Sequence, residues 1–292
     1  MRASEALRAP AKLNLTLEVL GRRSDGLHGL RSVMVPISLA DELRVARGDA
    51  SFRFTCDVPA LQNDNLVTRA FAALPLADRN FEIFLEKRIP TGAGMGGGSS
   101  DAAAVLLAAG RGVFGELPAL DYLQAARSLG SDVPFFLVET AALVEGVGER
   151  VTALGPVPPW HVVIVKPPIE ISTAWAYATI DEIERPTRPR NASVSVQMAQ
   201  AIQRADFLSA ASLLQNDFQN ALSSAGEIRR ALDALDKAGA AHTLLTGSGS
   251  CVYALCESPS EADRVASRLD LEPGYASYTA AFWNGEAWRS AA

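Results

Sequence analysis

Between positions 11 and 19 the chain alternates: Ala11, Leu13, Leu15, Leu17 and Val19 are apolar, and Lys12, Asn14, Thr16 and Glu18 fall between them. Successive side chains of a strand point to opposite faces, so this period of two predicts a strand over 11–20 that carries Lys12 and Asn14 on one side. By itself such a lysine reads as solvent-facing. A second strand is predicted over 30–46. Residues 81–89 alternate again, with Phe81, Ile83, Leu85 and Ile89 on one face and Glu82, Glu86 and Arg88 mostly on the other.

Helical spacing and caps predict helices over 65–74, from the run after position 100 to Gly110, and over 121–129, ending at Gly130. Residues 141–154 read as a hairpin around GVGE. The proline-rich GPVPPW at 155–160 is the candidate boundary between two lobes, 1–155 and 156–292. Beyond it come a strand at 161–166, a loop ERPTRPRN at 184–191 and helices over 194–205, 207–215, 227–238 and 260–269. Short strands flank Gly247, and a last strand covers 275–282. The closing α-β-β-α-β order suits an antiparallel sheet covered by helices on one face.

The strand at 81–89 and the helix after it are joined by PTGAGMGGGSSD, which places five glycines in seven positions. Glycine admits left-handed backbone and lets N–H groups approach a ligand closely. The helix N-terminus behind adds unpaired donors and a favourable dipole, about 0.3–1 kcal/mol per exposed anionic group. The segment therefore reads as a phosphate cradle, with Ser99, Ser100 or Asp101 as candidate helix cap. A Walker loop laid from Gly92 to Ser99 puts Gly98 where the lysine belongs, which excludes it. A dinucleotide fingerprint fits Gly92, Gly94 and Gly97, but GRGVFGELP follows in place of the strand and acid it needs. The protein-kinase strings HRD and DFG do not occur.

Composition bears on partners and on redox compartment. With 33 Asp and Glu against 27 Lys and Arg the net charge is -6, which disfavours nucleic acid or an anionic membrane as partner. Three cysteines without a CxxC pair make a disulfide framework improbable and fit a reducing cytoplasm. The N-terminal segment shows no signal-peptide core, and no apolar run reaches the roughly 18 residues of a membrane span. His28, His161 and His242 lack metal-ligand spacing, and no GxSxG elbow occurs.

Two positions outside the loop are candidates for chemistry. Asp132, in GSDVP at 130–134, is either a cap before a proline-led turn or a general base. Beside Lys12 it would give phosphoryl transfer a proton acceptor and a cation. The turn TGSGS at 246–250 reads as a hairpin turn.

Together these segments resemble the GHMP kinase superfamily, small-molecule kinases with a nucleotide loop P-x-x-x-G-L-G-G-G-S-S. Here Met95 stands at the leucine position of 90–100. PAKLNLTLEVLGRRSDGLHGLRS, DNLVTRA, LGSDVPFFL, GVGER, ISTAWAY, NDFQNAL and LLTGSGSCVYAL extend the likeness over nearly the whole chain. Within the superfamily it is similar to the kinases of a cytidine-diphosphate-bearing methylerythritol in non-mevalonate isoprenoid biosynthesis. The resemblance implies an α+β, two-lobed fold: an N-terminal lobe like ribosomal protein S5 domain 2, a ferredoxin-like C-terminal lobe, and a substrate cleft between them. It implies ATP and Mg2+ as cofactors, transfer to the substrate's 2-hydroxyl, and Lys12 and Asp132 as catalytic residues. Pro90, Thr91, Gly92, Ala93, Gly94, Met95, Gly96, Gly97, Gly98, Ser99 and Ser100 are then the phosphate site, with Asn65 near adenine. Asn14, His28, Thr173 and Tyr177 are implied at the cytidine-bearing substrate, His28 at the cytosine edge and Tyr177 on its face. Metal ligands are not specified. Another GHMP small-molecule kinase and a non-catalytic nucleotide-binding regulator are the alternatives. One departure stands out: Gly26-Leu27-His28 replaces the family's usual G-Y-H.

Overall fold

The computed structural model describes residues 5–182, 193–222 and 225–285 of the chain. Strands β1 (Glu5–Arg22) and β2 (His28–Arg47) form a long antiparallel pair, each extending beyond the predicted segment because residues 5–10 pair with 40–45 and residues 19–22 with 28–30. β3 (Arg53–Cys56) and β4 (Phe81–Glu86) continue the sheet on one side of β2. The predicted hairpin, β5 (Ala141–Gly146) and β6 (Arg150–Gly155), also joins it through β5. Helix α1 (Leu66–Ala73) packs on α2 (Gly97–Gly110), whose Ala-rich surface is narrow enough to lie buried among β1, α1, α3 (Tyr122–Leu129) and α4 (Val133–Phe136). Phe71, Phe81 and Phe114 meet edge-on at 5.1–6.1 Å beneath it, each pair adding about 0.5–1.5 kcal/mol beyond its buried area.

The second half builds a four-stranded antiparallel sheet in the order β11–β7–β10–β9. Its strands are β7 (His161–Lys166), β9 (Thr243–Leu245), β10 (Val252–Cys256) and β11 (Ala276–Ala281). Helices α9 (Gly226–Lys237) and α10 (Pro259–Arg268) contact this sheet as the α-β-β-α-β pattern predicts. α5 (Thr173–Asp181) was not legible from periodicity, and the predicted loop 184–191 lies outside the described residues. α6 (Val194–Gln203), α7 (Phe207–Ser212) and α8 (Asp217–Ala221) follow. The helix predicted to run to position 215 stops at Ser212, because Gln215–Asn216 leaves it to pair as a short strand, β8, beside Thr16 and Leu17 of β1. Apolar residues of β1 and β2 share one core with β7, β10 and α6, so the halves meet through a continuous apolar layer. Cys251 and Cys256 are buried in these layers, and the three cysteines are free thiols. No helix among the described residues is long and apolar enough to cross a membrane.

Candidate active site

The glycine loop connects β4 to α2. Gly92, Gly94 and Gly96 hold φ of 59°, 72° and 70°, the left-handed region that disfavours side chains. Close approach adds a second requirement at Gly94, where a Cβ would lie 2.4 Å from the Thr246 carbonyl oxygen. The cap expected from Ser99, Ser100 or Asp101 is not formed. Gly96 is the N-cap residue and no side chain caps it, because the serines and Asp101 already lie inside the first turns. Ser100 and Asp101 point into the protein, and Ser100 Oγ and Asp101 Oδ1 have no hydrogen-bond partner among the described residues.

A cleft of about 350 Å³ runs beside the loop, lined by Asn65, Leu66, Lys87, Asp101 and every residue from Pro90 to Ser99. Asn65 spends its side chain locally: Oδ1 accepts from the Val67 and Thr68 amides at 2.8 and 3.1 Å, and Nδ2 donates to the Leu61 carbonyl at 2.7 Å. The Lys87 ammonium donates to Asp41 Oδ2 at 2.5 Å and Asp101 Oδ2 at 2.8 Å. Asp41 Oδ1 in turn accepts from the Arg88 and Ile89 amides, just ahead of Pro90. This buried trio ties the loop's entry to the helix behind it. Sequence reasoning missed it, although an aspartate interrupting the apolar run of β2 was a signal.

At Asp101 burial pushes the carboxyl up to about 8, opposed by Lys87 and reinforced by Asp41. The unfolded chain gives up this proton near 3.8 and the folded one near 8. The group's contribution to stability is therefore full below the lower value and lost as pH rises toward the upper. Asp101→Asn should flatten that decline, since Asp41 still partners Lys87. Denaturant midpoints of both proteins at about pH 5 and 8 check this, and parallel pH dependences would contradict it.

A second cleft, of about 280 Å³, opens on the other side of the loop and brings together Lys12, Asn14, Asp132, Thr173 and Tyr177. Gly94 and Gly96 line both clefts. Lys12 is 2% exposed, not solvent-facing. Its backbone N–H donates to the Met95 carbonyl at 3.0 Å, and its Nζ donates to Asn14 Oδ1 at 2.5 Å, the shared face that alternation predicted. Burial pulls the Lys12 ammonium below its ordinary value, and Asp132 restores part of it. Asp132 occupies the N-cap position of α4 but makes no side-chain cap bond, so the capping alternative falls away. Its charge also reaches Tyr177, whose hydroxyl is pushed up to about 12, first by burial and then by Asp132.

His28 lies beside this group. Its ring stacks on Tyr177 at 4.7 Å and 18°, and Nε2 meets Asp181 Oδ1 at 2.7 Å. The turn at 246–250, read from sequence as a simple hairpin turn, packs against the glycine loop. Cys251 N–H donates to the Ala93 carbonyl at 3.3 Å, a Cβ on Gly247 would lie 2.7 Å from the Gly94 carbonyl, and Ser248 Oγ meets Thr173 Oγ1 at 3.3 Å. Two facing glycine turns were the missed signal.

Residues 65–140 match the family model of the GHMP kinases N terminal domain, and residues 198–276 match that of GHMP kinases C terminal. A crystal structure of a 4-(cytidine 5'-diphospho)-2C-methyl-D-erythritol kinase superposes with a TM-score of 0.79 at 34% identity, covering 96% of this chain and 100% of that one. Homoserine kinase from Cytophaga hutchinsonii shares the fold alone, at a TM-score of 0.70 and 18% identity over 98% and 97% of the two chains. The protein thus has the α+β fold of a GHMP small-molecule kinase, with a lobe like ribosomal protein S5 domain 2 followed by a ferredoxin-like lobe.

Full-length relatives narrow the class. The 4-diphosphocytidyl-2-C-methyl-D-erythritol kinase of Citrifermentans bemidjiense is 39% identical over 92% of this chain and 95% of its own length. That of Deinococcus radiodurans is 36% identical over 89% and 87%. The chain belongs to the 4-diphosphocytidyl-2-C-methyl-D-erythritol kinase family.

Proposed function

We infer that this chain transfers the γ-phosphate of ATP to the 2-hydroxyl of 4-diphosphocytidyl-2-C-methyl-D-erythritol, a step of non-mevalonate isoprenoid precursor biosynthesis. One observation carries the reading beyond family membership: Gly94 and Gly96 line both clefts, so phosphates cradled on one side lie next to Lys12 and Asp132 on the other. In this reading residues 1–155 supply the nucleotide side, and 156–292 close the substrate side with Thr173 and Tyr177.

The loop from Pro90 to Ser100 holds the phosphates through backbone N–H groups and the α2 N-terminus. Asn65, its side chain committed to capping α1, shapes the adenine end chiefly by holding Leu66 in place. Asp132 accepts the proton of the attacking hydroxyl. A carboxylate is a weak base toward an alcohol, so a loose transition state with late proton transfer suits it, and its main contribution is aim. Lys12 orients Asp132 and the hydroxyl, and its charge meets the negative charge moving between nucleotide and acceptor. Asn14 keeps one amide proton free for the substrate; for His28 to meet the cytosine edge and Tyr177 to offer a ring face, the stack between them and the Nε2–Asp181 contact have to open.

Ser100 Oγ is a buried hydroxyl without a partner among the described residues, next to the cradle, and fits a hard cation as an oxygen ligand. Asp101 offers its unpartnered Oδ1 on the same ground, but burial disfavours its charged form and Lys87 already takes Oδ2. Magnesium held by Ser100 and phosphate oxygens would neutralise charge on the phosphates.

An ADP-release assay over 4-diphosphocytidyl-methylerythritol, homoserine, mevalonate and galactose tests the substrate assignment. Turnover of the cytidylyl compound alone is expected. Preference for another alcohol would transfer the chain to a different GHMP activity, and turnover of none would make it a nucleotide-binding regulator.

Leu27 is 55% exposed at the turn before His28. An aromatic there adds a second face for the base, and stacking on an aromatic contributes about 1–3 kcal/mol per base. Leu27→Tyr is therefore expected to lower KM for the cytidylyl substrate about five- to a hundredfold with kcat unchanged. An unchanged KM would show that the base does not reach this turn.

A further inference from the structure

We propose that Ser32, on the strand opposite Lys12, is a positioning residue for phosphoryl transfer: it fixes the orientation of the Asn14 amide and thereby the acceptor that holds the Lys12 ammonium. The proposal rests on the reading of Lys12 as the cation at the transferring group. Ser32 itself touches neither cleft.

Donor and acceptor roles follow from groups that have no choice. Ser32 Oγ lies 2.6 Å from the Thr16 carbonyl oxygen and 2.8 Å from the Asn14 amide. A carbonyl only accepts, so the single hydroxyl proton of Ser32 goes to Thr16, and the atom of Asn14 facing Ser32 must be the donor Nδ2. Oδ1 then faces Lys12, whose ammonium donates to it at 2.5 Å. An amide turned the other way would set N–H groups against an ammonium that has only donors, and leave two lone-pair faces opposed at Ser32.

The remaining contacts lock the arrangement. Thr246 Oγ1 accepts from the Asn14 backbone N–H at 3.1 Å and returns its own proton to Asn14 Oδ1 at 3.4 Å. Tyr253 donates to the Asn14 carbonyl at 2.9 Å. Ser32 is held from beneath, because Thr16 Oγ1 accepts from Val33 N–H at 3.0 Å and donates to Ser195 Oγ at 2.8 Å, which donates on to the Arg31 carbonyl at 3.3 Å. Thr16, Ser32 and Ser195 are fully buried and line neither cleft, so each hydrogen bond lost among them is an unmet polar group with no water to replace it.

The backbone supplies the spacing. β1 carries a bulge between Asn14 and Thr16, so that Asn14 pairs with Met34 while Thr16 pairs with Val33, one step along β2. Bulges re-aim side chains beside active sites. Here the bulge lets one hydroxyl from β2 reach both the Asn14 amide and the Thr16 carbonyl.

The test measures kcat, KM for ATP and the alkaline limb of kcat against pH in Ser32→Ala and in Ser32→Cys, which keeps the buried volume but offers a weak acceptor. The groups facing Lys12 besides Asn14 are Asp132 from α4 and, beyond it, Tyr177 from α5. Both variants leave those groups in place. Expected is a fall in kcat of about ten- to a hundredfold, the rate equivalent of one hydrogen bond to a charged group, with KM for ATP within about twofold. The alkaline limb should move to lower pH, since the ammonium loses an acceptor that favours its charged form. A folded variant with parental kcat and limb would overturn the proposal, as would a loss of thermal midpoint that lowers kcat and ATP affinity together. Lys12→Met separates the two readings: near-normal turnover there removes Lys12 from catalysis, whereas an inactive Lys12→Met beside a fully active Ser32→Ala removes only Ser32.

Discussion

Asp132→Asn is expected to lower kcat about 10²–10⁴-fold, the usual contribution of a positioned acid or base, while ATP affinity stays within a few-fold of the parent. The separation follows from where Asp132 sits. It shares its cleft with Lys12 and Tyr177, whereas the cleft lined by Pro90 to Ser99 does not include it. It makes no cap bond to α4, so the amide removes a proton acceptor without removing a structural tie, and the thermal midpoint should hardly move. Single-turnover kinetics with independently measured ATP binding separate the two effects. Near-normal turnover would remove Asp132 from the mechanism.

Gly94→Ala is expected to cost about 1–3 kcal/mol of stability and to weaken ATP binding by at least tenfold. The residue has φ of 72°, and its added methyl would lie 2.4 Å from the Thr246 carbonyl oxygen and 2.8 Å from that of Gly249. Both obstacles are backbone, so no rotamer change relieves them. The glycine loop or the turn at 246–250 must shift, and either shift moves the N–H groups assigned to the phosphates. Gly98→Ala is the stability control: it lies in the first turn of α2, where the nearest atom to a new Cβ is Leu66 Cδ1 at 3.9 Å. Its thermal midpoint is expected to match the parent or rise, since alanine favours helix. Equal losses in the two variants would show that the close approach at Gly94 is not what constrains the loop.

The features legible in the sequence are those that depend on local period or composition. Alternation placed Lys12 and Asn14 on one face, and Lys12 Nζ does bond Asn14 Oδ1. Five glycines between a strand and a helix announced the loop, and the hairpin at 141–154 formed as β5 and β6. Asp132 stayed undecided between cap and base because the local sequence is the same for both; its unused cap position removes the first.

What was not legible depends on contacts between distant segments. Lys87 reads as an ordinary charged residue at the end of β4 until Asp41 and Asp101 arrive from 46 and 14 residues away. The bulge in β1 leaves no mark on the alternation, because Leu13 and Leu15 are both fully buried despite it. α5 carries apolar residues around much of its circumference, so no single face stood out. There the family resemblance, not periodicity, singled out Thr173 and Tyr177.

The two clefts joined at Gly94 and Gly96 are expected to carry one phosphate from ATP to one hydroxyl of the cytidylyl substrate. Phosphorus NMR of the product made from ATP and 4-diphosphocytidyl-2-C-methyl-D-erythritol tests it most directly. One new phosphomonoester signal is expected, on the methylerythritol 2-oxygen, with both diphosphate signals of the substrate retained and one ADP formed per product. A phosphate on another hydroxyl, a lengthened polyphosphate chain, or ADP without a phosphorylated product would contradict it.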